Sequence, residues 1–366
     1  MTGPRVVVAG GHSAGHIEPA MNLADALRRL DHTAQITALG TVRGLDTTLV
    51  PARGYPLELI PPVPLPRSLN LALLQTPGRL RDSVRAAGAV LDRVRAEALV
   101  GFGGYVAAPA YLAAHRRNLP IVVHEANAQA GVANRLAARL TTHVFTATPA
   151  VRLAHATAIG IPLRPAITGL DRPALRAAAR ERFGLRPDGP VLLATGGSQG
   201  ARAINVAVSA AAPALRAAGV QVLHITGPQH EVEAPAGDPP YVVLRYVDEM
   251  RYAYAAADFV ICRSGAMTCA ELAAVGLPAA YVPLPLRGGE QRHNAEPVVA
   301  AGGALLVDNA DLDPAWIEKR LLPVLTDPGR IASMSAAASA AGAPDADLVL
   351  ARHVLATIAR RRAAVT

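Results

Sequence analysis

The sequence predicts an α/β protein made of two doubly wound parallel-sheet domains. Three observations carry this. Short apolar, β-branched runs alternate with helical patterns along the whole chain; a glycine-rich turn follows the first run; and a second glycine-rich turn restarts the same design near residue 191. A length of 366 residues exceeds one ordinary core and fits two domains.

The first series of strands begins at Val6-Val7-Val8 and continues through residues 36–39, Leu99-Val100, 121–123 and 144–146. After the first strand a helix places Ala20, Leu23, Ala24, Leu27 and Leu30 on one face, with Pro19 suited to its first turn. The second series starts at Val191-Leu192-Leu193. It is followed by a helix through Ala203, Ile204, Val208 and Leu215, then by strands at 222–225, 242–244, 259–262, 280–282 and 305–307. Residues 160–173 hold several prolines and separate the two series as a linker. The expected division is 1–163, 164–344 and a C-terminal helix at 345–366. In open α/β sheets ligands bind beyond the carboxyl ends of the strands, so the site is expected in a cleft where the two domains face each other.

Composition narrows the function. Hydrophobic residues make up 51% of the chain and charged residues 17%, which excludes a disordered protein. The net charge of +8 and a pI near 10.1 favour an anionic partner. Aromatics are only 4%, without the basic and aromatic interleaving of single-strand platforms, so nucleic acid is not expected. Cys262 and Cys269 lack the spacing of a zinc site and read as buried reduced thiols. No signal peptide is read at the N-terminus, and the charge-free run 98–114 is too short and too glycine-rich to span a bilayer. A cytoplasmic protein with at most a peripheral membrane contact is expected.

The first loop is Gly10-Gly11-His12-Ser13-Ala14-Gly15-His16. Glycines between strand and helix let backbone amides approach a phosphate. A dinucleotide fingerprint is excluded, because Leu39-Gly40-Thr41 ends the second strand without an acid. The second loop, Gly196-Gly197-Ser198-Gln199-Gly200-Ala201-Arg202, lacks the lysine of a P-loop. Ser198 there serves either a diphosphate or an ordinary helix cap. In Arg263-Ser264-Gly265-Ala266-Met267-Thr268-Cys269-Ala270-Glu271, Thr268 and Glu271 fall on the first turns of a helix. The carboxylate can accept from both hydroxyls of a ribose or simply favour the helix dipole. Gly288-Gly289-Glu290-Gln291-Arg292-His293-Asn294 reads as a polar loop suited to sugar hydroxyls or to solvent. His124-Glu125-Ala126-Asn127 ends a strand, where His124 and Asn127 face ligand or satisfy loop backbone.

The order of Gly103-Gly104-Tyr105, His124-Glu125-Ala126-Asn127, 160–164, 196–202, 263–271 and 291–294 closely resembles the MurG family, over residues 5 to about 360. The resemblance implies a GT-B glycosyltransferase fold with the C-terminal segment returning to the first domain. It implies UDP-N-acetylglucosamine (UDP-GlcNAc) as donor, lipid I (undecaprenyl-diphosphate muramoyl-pentapeptide) as acceptor, inversion at the anomeric carbon, no required cofactor or metal, and residence on the inner face of the cell membrane. By resemblance, Ser13, Ala14 and Gly15 line the junction of donor and acceptor, and His16 is the general base. Asn127 and Gln291 hold the N-acetylglucosamine, Arg164 and Ser198 the diphosphate, Thr268 and Glu271 the ribose side, and backbone at Val247 the uracil. His12, Gly103, Gly104 and Tyr105 belong to the acceptor region.

One position departs from the family. Its first loop usually reads Gly-Gly-Thr-Gly-Gly-His or Gly-Gly-Thr-Ala-Gly-His, whereas here His12 replaces the second glycine and Ser13 the threonine. That leaves open a paralogue with another acceptor or an antibiotic self-protection role, or a non-catalytic nucleotide-sugar or lipid-binding protein. An anionic membrane contact is expected at 63–67 and 69–74 with Arg79, Arg81 and Arg85 nearby.

Overall fold

The computed structural model describes residues 3–63, 71–285 and 288–365. The chain divides into two compact units, Met1–Leu163 with Pro344–Thr366, and Arg164–Ala343. Each is built on one parallel sheet whose central strands are buried on both faces, which accounts for continuous apolar runs rather than alternation.

The first sheet contains β1 (Arg5–Gly10), β2 (Gln35–Gly40), β3 (Leu57–Leu59), β4 (Ala98–Gly103), β5 (Ile121–Glu125), β6 (Val144–Thr146) and β7 (Ala156–Ala158), in the order β3-β2-β1-β4-β5-β6-β7. The second contains β8 (Val191–Thr195), β9 (Gln221–Ile225), β10 (Tyr241–Leu244), β11 (Phe259–Cys262), β12 (Ala279–Tyr281) and β13 (Ala304–Leu306), in the order β10-β9-β8-β11-β12-β13. Strand order reverses at β1/β4 in one unit and at β8/β11 in the other. At such a switch point the connecting loops diverge to opposite faces and leave a crevice at the carboxyl edge. Pairing of β1 with β4 runs in register from Val6–Ala98 to Ala9–Gly101. It then slips by one residue, so that Gly10 meets Gly103. This bulge bends the end of β4 at the crevice.

The helix after β1 spans Ala14–Leu30 and buries Ile17, Leu23 and Leu27. Two sequence expectations need correction here. Pro19 lies inside the helix rather than in its first turn, so the Gly15 carbonyl loses its usual amide partner. Leu30, at the helix end, is 39% exposed. Against this helix packs the C-terminal helix Ala346–Val365, whose Leu350, Ala351, Val354 and Ile358 join the same buried cluster. Arg362 adds a two-pronged pair with Glu97, and His353 sits edge-on to Phe145 and His143.

In the second unit Asp258 is the polar centre. Its carboxylate accepts from Arg176, from Arg180 and from the amide of Val191. Arg180 is 1% exposed and also donates to the carbonyls of Ala256, Arg186 and Pro187. A buried guanidinium is tolerable only when its donors are met in this way. Cys262 and Cys269 are buried free thiols. Among the described residues, no helix is long and apolar enough to cross a membrane.

Candidate functional site

In the first unit the loops following β1, β4 and β5 lie side by side, because those strands are neighbours. His12 adopts a left-handed backbone, φ 78°, a region that costs a residue with a side chain about 1–2 kcal/mol. Asp46, wholly buried at the start of helix Asp46–Ala52, helps to hold it there. Asp46 Oδ2 accepts from the His12 amide at 2.9 Å, and the His12 carbonyl accepts from the Leu45 amide. Burial raises the Asp46 carboxyl above its ordinary value, against the pull of the His12 amide. Gly11 is obligatory beneath the loop, since a Cβ there would stand 2.6 Å from Asp46 Oδ1. The exposed His12 ring packs edge-on against Tyr105, with centroids 5.4 Å apart.

His16 is the third residue of helix Ala14–Leu30 and is half-buried. Its Nδ1 lies 3.0 Å from Ser13 Oγ. When Nδ1 carries the proton and donates it to Ser13, Nε2 holds the lone pair. Burial first, and the neighbouring His12 second, lower the basicity of this imidazole below the ordinary histidine value. The ring edge bearing Nε2 faces Gly103: a Cβ on that glycine would sit 3.3 Å from Nε2, and Gly103 has φ 91°. Gly104, φ 80°, brings the same turn against the Gly11 carbonyl.

Behind Gly103 lies a buried polar network that sequence reasoning missed. Asn134 donates to Glu125 Oε2 at 2.9 Å and accepts from the Tyr111 phenol at 2.7 Å. Glu125 also accepts from the amides of Asn127 and Gly131, closing the loop that carries Asn127. His124 is not in the crevice. Its ring is fully buried and its Nε2 donates to the Gly160 carbonyl at 2.8 Å; burial pulls it down to about 4. Of the two readings open for His124, backbone satisfaction is the one observed.

In the second unit the loops after β8, β11 and β12 form the corresponding edge. Ser198 is exposed in a turn, and the following helix starts only at Arg202, capped by Ala201 without a side-chain bond, so Ser198 is not a helix cap. Gly200 packs backbone to backbone: a Cβ would fall 2.1 Å from the Thr226 carbonyl oxygen. Thr268 and Glu271 lie half-buried on helix Ala266–Ala274, and Glu271 Oε2 accepts from the Tyr254 phenol at 2.7 Å. The polar stretch 288–294 is not a loop throughout. From Glu290 it is the start of helix Glu290–Ala300, where a carboxylate in the first turn suits the exposed amides. Gln291 Oε1 accepts from the Leu284 amide, and the buried Asn294 donates to the Ser264 carbonyl. Arg164 is exposed at the start of helix Pro165–Thr168, and Val247 packs partly onto the core.

These two edges can be set beside known proteins. Residues 6–146 match the glycosyltransferase family 28 N-terminal domain and residues 191–349 its C-terminal domain. The UDP-N-acetylglucosamine–N-acetylmuramyl-(pentapeptide) pyrophosphoryl-undecaprenol N-acetylglucosamine transferase of Streptomyces avermitilis is 58% identical over 97% of this chain and 99% of its own length. The chain belongs to glycosyltransferase family 28, in its MurG branch. The transferase of the same name from Thermobifida fusca is 58% identical over 96% of this chain and 94% of its own. Acinetobacter baumannii MurG superposes with a TM-score of 0.79 at 26% identity, covering 96% of this chain and 99% of that one. The calicheamicin glycosyltransferase CalG4 follows at 0.68 and 18%, over 98% and 99% of the two chains, a likeness of fold alone. The architecture is therefore the GT-B fold, with one Rossmann-like sheet in each unit.

Proposed function

We propose that this MurG-family chain transfers N-acetylglucosamine from UDP-GlcNAc to lipid I, giving lipid II and UDP. The observation that carries the reading is the 58% identity to transferases of that name along nearly the full chain. The labour divides between the two units. In the first unit the acceptor hydroxyl gives its proton to His16 Nε2 while its oxygen attacks the anomeric carbon from the side opposite the departing diphosphate. Ser13 orients the ring through Nδ1. Ala14 and Gly15 form the turn that presents it, and Gly103, Gly104, Tyr105 and His12 border the acceptor.

In the second unit, Glu271 and Thr268 take the ribose side and Val247 backbone the uracil. Arg164, together with Ser198 and the start of helix Arg202–Ala210, receives the diphosphate charge that grows as the glycosidic bond breaks. Gln291 offers the sugar an amide in the second unit, and Asn127 is the amide of the first unit suited to sugar hydroxyls. No step in this division draws on a metal. On this reading the protein works at the inner face of the cell membrane. Of the expected membrane patch, Val63 is buried rather than membrane-facing, and 64–67 and 69–74 lie outside the described residues or their described side chains. Arg79, Arg81 and Arg85 are exposed on helix Leu71–Arg93.

The test is UDP release from UDP-GlcNAc with and without a soluble lipid I analogue. Release that requires the analogue and yields the β-linked disaccharide supports the proposal. Release with other acceptors only, or UDP-GlcNAc binding without any turnover, overturns it in favour of a paralogue or a binding protein.

A further inference from the structure

The phenol of Tyr254 stands behind Glu271. It lies on helix Met250–Ala256, is 3% exposed, and gives its single proton to Glu271 Oε2 at 2.7 Å. Burial and the Glu271 charge push the phenol far above its usual range, so it remains a donor throughout the folded range of pH. A donor fixed behind a carboxylate narrows its rotamers and aims its remaining lone pairs.

The two helices are also locked to each other. Arg172 donates to the carbonyls of Tyr254, Ala257 and Gly276, at 3.1, 2.7 and 3.0 Å. The first two lie at the end of the helix carrying Tyr254, and Gly276 lies just beyond the helix carrying Glu271. Phenol and carboxylate thus share one rigid frame, and the phenol sits on the buried side of the carboxylate.

We propose that Tyr254 is a positioning residue for nucleotide recognition, setting Glu271 so that its carboxylate reads the vicinal diol of a ribonucleotide and rejects a deoxyribose. This rests on the assignment of Glu271 to the ribose. A tyrosine that merely fills the core would act on stability and leave sugar discrimination unchanged.

The experiment is calorimetric titration of the full chain with UDP and with 2′-deoxy-UDP, for the native protein, Tyr254→Phe, Glu271→Ala and the double variant, with thermal midpoints taken alongside. The native protein is expected to prefer UDP by about tenfold, the value of one charge-assisted hydrogen bond. Glu271→Ala brings the ratio to about one, and Tyr254→Phe brings it to about three or below. The double variant matches Glu271→Ala, because the phenol acts only through the carboxylate. Tyr254→Met, a second donorless side chain, gives the same reduced ratio if the phenylalanine variant folds poorly.

A Tyr254→Phe ratio equal to that of the native protein, while Glu271→Ala abolishes it, overturns this inference and leaves the ribose assignment standing. A ratio unaffected by Glu271→Ala overturns the ribose assignment itself.

Discussion

His16 is a single imidazole whose usefulness depends on two small neighbours: Ser13 engages Nδ1 and Gly103 leaves space beside Nε2. In the proposed transfer, His16→Ala should leave UDP affinity nearly intact. It should lower turnover by about a hundredfold or more, the range for a positioned base. Retained turnover per folded molecule would remove His16 from the role. Because burial lowers its basicity, the imidazole is neutral at pH 7, and the acid limb of kcat/KM should lie below pH 6.5. His12 gives a second test. Its left-handed backbone is the conformation that a glycine accepts without strain, and its ring rests on Tyr105 at the acceptor side. His12→Gly should therefore raise turnover on a lipid I analogue and leave UDP affinity within about 0.5 kcal/mol. A large fall in turnover would mean that the side chain has been recruited to the reaction. At this scale the sequence exposed residues inside contiguous motifs, such as Ser13, His16 and Glu271. It hid Asp46, Asn134 and Tyr254, whose partners lie 34, 9 and 17 residues away and meet only after folding.

Helix Ala346–Val365 shows what an element contributes beyond its own propensity. Leu350 is completely buried against the first unit, so Leu350→Ala should cost about 3 kcal/mol, the usual sum of lost transfer energy and residual cavity. Urea unfolding checks this, and a change under 1 kcal/mol would contradict the packing. In the second unit, Arg180→Leu should cost about 3 kcal/mol, since it takes one of three donors from Asp258 and leaves three carbonyls without the guanidinium. A variant as stable as the native protein would show that water can replace the guanidinium. Elements with strong apolar runs, such as β1 and β8, were legible because parallel strands buried on both faces cannot be polar. The edge strands β3 and β7 were not: each has three residues, and Ala156–Ala158 is wholly exposed. The start of helix Glu290–Ala300 reads as a loop in sequence because amide and carboxylate side chains look alike in a loop and in a solvated first turn.

Across the whole molecule, acid should act through buried histidines. His124 and His224 are both held neutral by burial, at about 4. Depressed folded-state values mean that below pH 6.5 the unfolded chain gains protons that the folded chain refuses. The stability is complete above pH 6.5 and is lost as pH falls toward 4. Each histidine should account for about 2 kcal/mol between pH 7 and pH 5. Equal urea midpoints at those two values would refute this. The division into two Rossmann-like halves was legible because a strand followed by a glycine-rich turn occurs twice, at Gly10 and at Gly196. Return of the C-terminal helix came only from family resemblance, since nothing in residues 346–365 names their partner. That helix also dictates an order of events during synthesis. Residues 164–343 contain everything their own sheet needs and can fold while the ribosome is still working. The earlier-made residues 3–163 must wait, with the face of helix Ala14–Leu30 that meets the C-terminal helix uncovered, until Leu350, Val354 and Ile358 have emerged. The first half of the chain to be translated is therefore the last to be finished, and a nascent chain stalled before residue 346 is a natural client for chaperones.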